Sequence, residues 1–283
     1  MKIITNDYGC GTSSSILDYG TKDVVVCSEQ NHKHVFDLSG EDLLFVGHDF
    51  LNYLWDSQRY RQHWKSYSGK KHIWCFEKID CIVPQWKEKS HASLGMAQQF
   101  TDSFFVSDEQ DARKYNIPWL PQWASSRFYD QRKQTPLEDK MTFSGQAGVL
   151  GYADRDALLT KLQTDADIKD KFYISNTTRS KTWDDYISNF LNHKFILNPL
   201  GNFKGFNTRT YEALTSGRVL IQQVDKEFTW HRESLEKYPN VIFFETFEQL
   251  KQIVLNLEEQ NVVADCERQF SENNFHQRMT LIK

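Results

Sequence analysis

The chain has 283 residues and a net charge of −4, and it holds no apolar run near the roughly 20 residues that cross a bilayer. That length fits two compact lobes better than one core, and a charge this close to neutral sets up no global field, so any polyanion site has to be local. Its odd cysteine set (Cys10, Cys27, Cys75, Cys81 and Cys266) has no C-x-x-C pair, which points to reduced thiols rather than a disulfide frame or a zinc site.

The start Met1-Lys2-Ile3-Ile4-Thr5 reads as a strand rather than a leader, so a cytoplasmic location is expected. Further strands are predicted over 24–27, 43–46, 73–76 and 103–106, with helices in the gaps. After the first strand, Gly9, Gly11, Thr12 and Ser13 form a small-residue loop whose backbone can approach a sugar or phosphate. A dinucleotide-dependent oxidoreductase would need a fuller G-x-G-x-x-G here, and Ser14 stands at the third glycine. Asn31-His32-Lys33-His34 offers two histidines without further ligands and reads as a solvated turn, so no metal site is expected.

His48 and Asp49 follow the third strand at the carboxyl edge, where α/β sheets place ligands. A histidine there can orient or deprotonate a hydroxyl, while a capping Asp49 beside a hydrogen-bonded histidine is the alternative. Glu77, just after the fourth strand, is the second candidate base. Between them, residues 57–74 hold Arg59, Arg61, Lys65, Lys70 and Lys71 among aromatics and no acid. That composition suits phosphate backbones and stacked bases, and equally a solvated helix face packing Trp64 inward.

In the second half, Asp165-Ala166-Asp167 spells the metal-holding D-x-D but lies in a polar link before a strand at 172–174, and is read as loop. An apolar strand at 195–197 then runs into Pro199, Gly201 and Gly205, after which Thr208 is expected to cap a helix ending near Gly217, with the next strand at 219–221. Asn207, Thr208 and the first helical turn aim backbone N–H groups at one point, where a phosphate fits. Arg209 and Glu212 share a helix face, the arginine suited to phosphate and the glutamate to sugar hydroxyls. Arg155, Arg179, Lys181 and Lys204 lie near other strand-to-helix connections, where a cation can meet a phosphate.

The stretch from Asn198 to Ile221 resembles the donor-site motif of GT-B glycosyltransferases, especially the spore-maturation (CgeB-like) group and its phage relatives. The retaining branch carries a Glu-Gly-Phe…Glu-Ala pattern. Gly205, Phe206, Glu212 and Ala213 match it, while Lys204 stands at the first glutamate. Residues 141–145 with 152–159, residues 118–128 and residues 274–279 resemble the opening of the donor domain, the close of the first domain and the last helix.

The resemblance implies an α/β GT-B fold of two Rossmann-like lobes with parallel sheets: 1–133 for the acceptor, 134–264 for the donor, and a C-terminal crossover helix over 265–283 that returns to the first lobe. It implies a nucleotide-sugar-dependent glycosyltransferase working with retention and without a metal cofactor, a UDP-sugar as donor, and Gly145 with the residues named above in the donor site. Small phage enzymes of this fold glycosylate hydroxymethylated pyrimidines in DNA. Double-stranded DNA is therefore the expected acceptor, touched by Arg59, Arg61, Lys70 and Lys71, with the host cytoplasm as location if the chain is viral. A cell-envelope glycan or small saccharide is the alternative acceptor. A non-catalytic sugar-nucleotide-binding protein is the alternative function, which Lys204 in place of the glutamate permits.

Overall fold

The computed structural model describes residues 1–6, 11–27, 40–47, 62, 65–80, 84–133, 137–145, 147–148, 152–176, 182–201, 206–226, 229–260, 262 and 264–282. They form two compact units, Met1–Gln122 and Trp123–Ile282.

The first unit runs β1 (Lys2–Asn6), α1 (Thr12–Leu17), β2 (Val24–Cys27), β3 (Leu43–Gly47), β4 (Lys71–Cys75), α2 (Pro84–Phe100), β5 (Ser103–Val106) and α3 (Glu109–Tyr115). Its five strands are parallel in the order β2-β1-β3-β4-β5. The central strands read as unbroken apolar runs because both faces of a parallel sheet are covered, and β3 is buried at every position. Strand β4 begins at Lys71, earlier than the apolar pattern suggests, because the Lys71 N–H donates to Asp102 and the pairing with β3 extends to Leu43.

The second unit contains α4 (Ser126–Asp130), β6 (Glu138–Gly145), α5 (Ala153–Thr164), β7 (Phe172–Asn176), α6 (Trp183–Leu191), β8 (His193–Asn198), α7 (Thr208–Ser216) and β9 (Val219–Gln223). It closes with α8 (Thr229–Leu235), β10 (Val241–Phe244), α9 (Phe247–Leu255), α10 (Cys266–Asn273) and α11 (Phe275–Met279). The parallel order is β7-β6-β8-β9-β10. Counted within each unit, both sheets run second, first, third, fourth, fifth. In this doubly wound order the chain changes direction between the first and third strands, and ligands bind at the carboxyl ends beside that switch.

Period-two alternation divides the second core between the faces of its sheet. Phe143, Phe195 and Leu197 pack with Leu158 and Leu162 of α5 and Leu250 of α9. Ile196 and Leu220 pack with Phe190 of α6, Leu214 of α7 and Leu235 of α8. The helices that follow β6 and β8 therefore approach the switch point from opposite faces.

The boundary falls at Gln122/Trp123 rather than after residue 133, because Phe128 is fully buried among Ala124, Phe190 and other residues of the second core. The segment expected as one C-terminal helix is two, since Asn274 caps α11 by accepting from the Gln277 N–H at 2.8 Å. Both helices belong to the second unit. There Gln269 donates to Asn240 at 2.6 Å, Glu272 accepts from Tyr238 at 2.7 Å, and Phe275 lies against Trp123.

Candidate functional site at the β6/β8 switch point

The cap of α7 is Asn207, not Thr208: its Oδ1 accepts from the Arg209 N–H at 3.0 Å while its Nδ2 donates to Asn198 Oδ1 at 3.0 Å. Asparagine caps at least as well as threonine, and this one also ties the helix to the end of β8. The helix closes at Gly217, whose φ of 68° is left-handed.

Arg209 bridges the switch point. Its Nε donates to the Ser144 carbonyl at the end of β6 at 2.7 Å, and its Nη1 donates to Asn198 Oδ1 at the end of β8 at 2.8 Å. Asn198 is itself fixed by donating to Thr210 Oγ1 at 2.9 Å and Gln222 Oε1 at 2.8 Å. Arg209 is 7% exposed, and among the described residues it has no ion-pair partner and no acceptor for Nη2. Burial depresses its guanidinium. Gly145 makes room for it, because a Cβ there would overlap Nη2.

A second guanidinium arrives from the other face of the sheet. Arg155, in the first turn of α5, lies 3.6 Å from the Tyr152 ring centroid and 5.5 Å from that of Phe143, the ring that Arg209 also covers at 4.6 Å. Burial, and then the charge of Arg209, pull Arg155 down to about 10. Gly201 leaves space for this stack: a Cβ there would stand 2.9 Å from Tyr152 and 3.2 Å from Arg155 Nη1.

Glu212 lies one turn along α7 from Arg209 and is 3% exposed. Its Oε2 accepts from the Tyr186 hydroxyl at 2.5 Å, while Oε1 accepts nothing among the described residues and is not sealed from solvent. Burial raises the carboxyl to about 7, against the Tyr186 hydrogen bond and the Arg209 charge, which pull it down. The site thus combines buried cations for an oxyanion with a carboxyl oxygen open to a hydroxyl.

Of the other expected donor residues, Phe206 is buried in the core beside α7 and Thr208 opens that helix. Arg179, Lys181, Lys204 and Gly205 lie outside the described residues. Asp165 and Asp167 form a link after α5 and are both held by Lys251, at 2.8 and 2.6 Å. Among the described residues no group of three His, Cys, Asp or Glu is gathered as for a metal ion.

In the first unit, Glu77 does follow the carboxyl end of β4, where its N–H meets Cys75 Sγ at 3.3 Å and its Oε2 is 3.6 Å from that sulfur. Burial pushes the Cys75 thiol well up. Gly11 precedes α1 with a left-handed φ of 64°, and Thr12 and Ser13 are buried. Gly9, His48, Asp49, Arg59 and Arg61 lie outside the described residues. Lys70 and Lys71 stand at the amino-terminal end of β4, the sheet edge opposite Glu77, where their N–H groups donate to Asp42 and Asp102. The stretch is acid-free in sequence but not in space.

Beside Glu77 lies a cluster that sequence reasoning missed. Buried Lys78 donates to Asp108 at 2.6 Å, Gln110 at 2.9 Å and Asp111 at 3.0 Å, and Asp111 also accepts from the Ile79 N–H at 2.6 Å. Burial, and then Asp108, raise Asp111 to about 6. The capping pattern of Asp108 at the start of α3 was the only signal. Asn198, Ser144 and Tyr186 were also missed as members of the second unit's site. No protein-family model and no curated protein matches the chain.

Proposed function

We propose that the protein is a GT-B type glycosyltransferase that moves a sugar from a nucleotide-sugar donor, a UDP-sugar by its motif, to an acceptor hydroxyl. The observation that carries this reading is Arg209, buried with no ion pair among the described residues and pinned across the β6/β8 switch point by Ser144 and Asn198. A buried cation bonded only to neutral oxygens, with Glu212 acting on it from a turn away, is costly, and a diphosphate oxygen at Nη2, next to the first turn of α7, offsets that cost. Glu212 Oε1 then accepts from a donor hydroxyl.

In transfer, the bond between the anomeric carbon and the diphosphate oxygen breaks and its electron pair leaves with the diphosphate. The acceptor oxygen bonds to that carbon, and its proton is released. Arg209 and Arg155 oppose the charge that grows on the diphosphate, and being fixed in advance they need little reorganisation as it forms. We assign acceptor binding to the first unit, where Glu77 remains one of the expected bases.

A panel of nucleotide sugars screened by thermal stabilisation and then by release of nucleoside diphosphate tests this reading. The expected result is stabilisation by one nucleotide class and turnover with an acceptor hydroxyl, both lost in Arg209→Ala. Stabilisation without turnover against any acceptor would leave a sugar-nucleotide-binding protein. No response to any donor would remove the donor site.

A further inference from the structure

We propose that Tyr186 is the positioning residue of the donor site: its hydroxyl occupies one oxygen of Glu212 and so dedicates the other to a ligand hydroxyl. The inference rests on the reading of the second unit as a nucleotide-sugar site.

The Tyr186 ring has little freedom. It stacks on Trp183 with centroids 5.4 Å apart and planes at 15°, meets Phe128 edge-on at 6.2 Å, and lies 6.1 Å from Phe190. Its helix is fixed at the start by a Thr182–Asp185 capping box. A hydroxyl on so constrained a ring fixes the Glu212 rotamer through the 2.5 Å hydrogen bond. Because Oε2 already accepts from Tyr186, a proton taken up by the carboxyl goes to Oε1 and removes the acceptor offered to the ligand. Ligand affinity therefore follows ionisation of Glu212.

The surrounding elements carry several charged and titratable groups: Tyr211 on α7, Asp185 on α6, Asp130 on α4, and Glu267, Arg268 and Glu272 on α10, of which Arg268 and Glu272 pair at 2.9 Å. Arg209 shares α7, Arg155 comes from α5, and Arg278 of α11 lies over the Tyr211 ring. Arg127 of α4 is paired with Asp184 at 2.6 Å, and Cys266 opens α10. Among the described residues, Tyr186 and Arg209 act on the Glu212 carboxyl, both favouring its ionised form against burial. Loss of the Tyr186 hydroxyl thus moves the ionisation of Glu212 to higher pH.

The test compares the parent with Tyr186→Phe, which keeps the ring packing. The Glu212 carboxyl is titrated by carbon NMR in the free protein and assigned by its absence in Glu212→Gln. Affinity for a panel of nucleoside 5′-diphosphates is measured from pH 5.5 to 9. The expected result is a carboxyl midpoint about one unit higher in Tyr186→Phe. Affinity should fall about three- to tenfold at pH 7 and by less at pH 9, with Glu212→Gln keeping only the acid limb that protonation of the diphosphate itself imposes. A midpoint and affinity profile unchanged by Tyr186→Phe would overturn the inference while leaving the donor site standing. A parent that binds none of the diphosphates at any pH would overturn the donor-site reading and this inference with it.

Discussion

Gly145 and Arg209 occupy one place: the Arg209 guanidinium lies where a Gly145 side chain would start, held there by Ser144 and Asn198. The glycine is required by the arginine as well as by its own backbone, whose φ is 159°. Gly145→Ala therefore displaces the guanidinium from both hydrogen bonds. Loss of a charge-assisted contact of this kind costs about 1.5–3 kcal/mol, so donor affinity should fall roughly ten- to a hundredfold. Calorimetric titration of the donor into folded Gly145→Ala checks this. Unchanged affinity would show that Arg209 does not contact the ligand.

Glu212 links the same site to pH. Its folded pKa of about 7 lies above the ordinary 4.5. The folded state therefore favours the protonated form, and the stability it contributes is complete below the unfolded value and lost as pH rises through the folded one. Between about pH 4.5 and 7 this loss amounts to roughly 3 kcal/mol, by the conversion of a pKa difference into free energy. Urea denaturation at pH 5 and pH 8 should show the parent weakening with pH and Glu212→Gln weakening less. Equal pH dependence in the two proteins would contradict the buried, raised carboxyl.

How much of this was legible in sequence depended on the range of the interactions. Strands β3 and β8 stood out because burial on both faces leaves nearly unbroken apolar runs, and Arg209 and Glu212 stood out because three-residue spacing places them on one helix face. The convergence of Arg155 with Arg209 was not visible, since their helices lie on opposite faces of the sheet and meet only through the crossover order. The same holds for Tyr186 on Glu212, 26 residues apart, and for Lys78 on Asp108, 30 apart. Asn207 displaced Thr208 as the cap because its amide also bonds Asn198, a tertiary contact that local propensity does not contain.

Lys78 is the cation on which the turn after β4 depends. Its ammonium donates to Asp108, Gln110 and Asp111 at once, and both aspartate side chains are sealed from solvent. Lys78→Met leaves two buried carboxyls without their counter-charge, a change worth about 3–5 kcal/mol of stability. Chemical denaturation should show that loss, and acid should reverse part of it, because protonating Asp111 relieves the repulsion. A loss under about 1 kcal/mol would mean that the cluster is hydrated rather than dry.

The Asp165–Asp167 pair carries the spacing of a metal-holding motif, but both carboxylates are taken by Lys251. Hydrogen bonding to Lys251 lowers the Asp165 pKa, which keeps it ionised and paired. Transfer activity should survive EDTA, and Asp165→Ala should retain the parent's rate within about twofold, as expected of a surface pair remote from chemistry. Strict dependence on added Mn²⁺ or Mg²⁺, lost together with Asp165, would replace the guanidinium account by one in which a metal bridges the diphosphate.

Lys70 and Lys71 separate the acceptor question from the donor site. At the amino-terminal end of β4 they sit beside Asp42 and Asp102, and Lys71 is also engaged with the Tyr67 carbonyl at 3.4 Å. Nearby carboxylates weaken the pull of two lysines on a phosphate backbone, and each phosphate truly neutralised adds about 0.9 to the slope of log affinity against log salt. If duplex DNA carrying hydroxymethylated pyrimidines is the acceptor, replacing Lys70 and Lys71 together by Ala should leave that slope unchanged between 50 and 200 mM salt, with any salt-dependent contact arising elsewhere in the chain. A slope smaller by about 2 would place both lysines on the DNA. Transfer of labelled sugar to a saccharide, with none to hydroxymethylated DNA across the donor panel, would remove DNA as the acceptor whatever the slope.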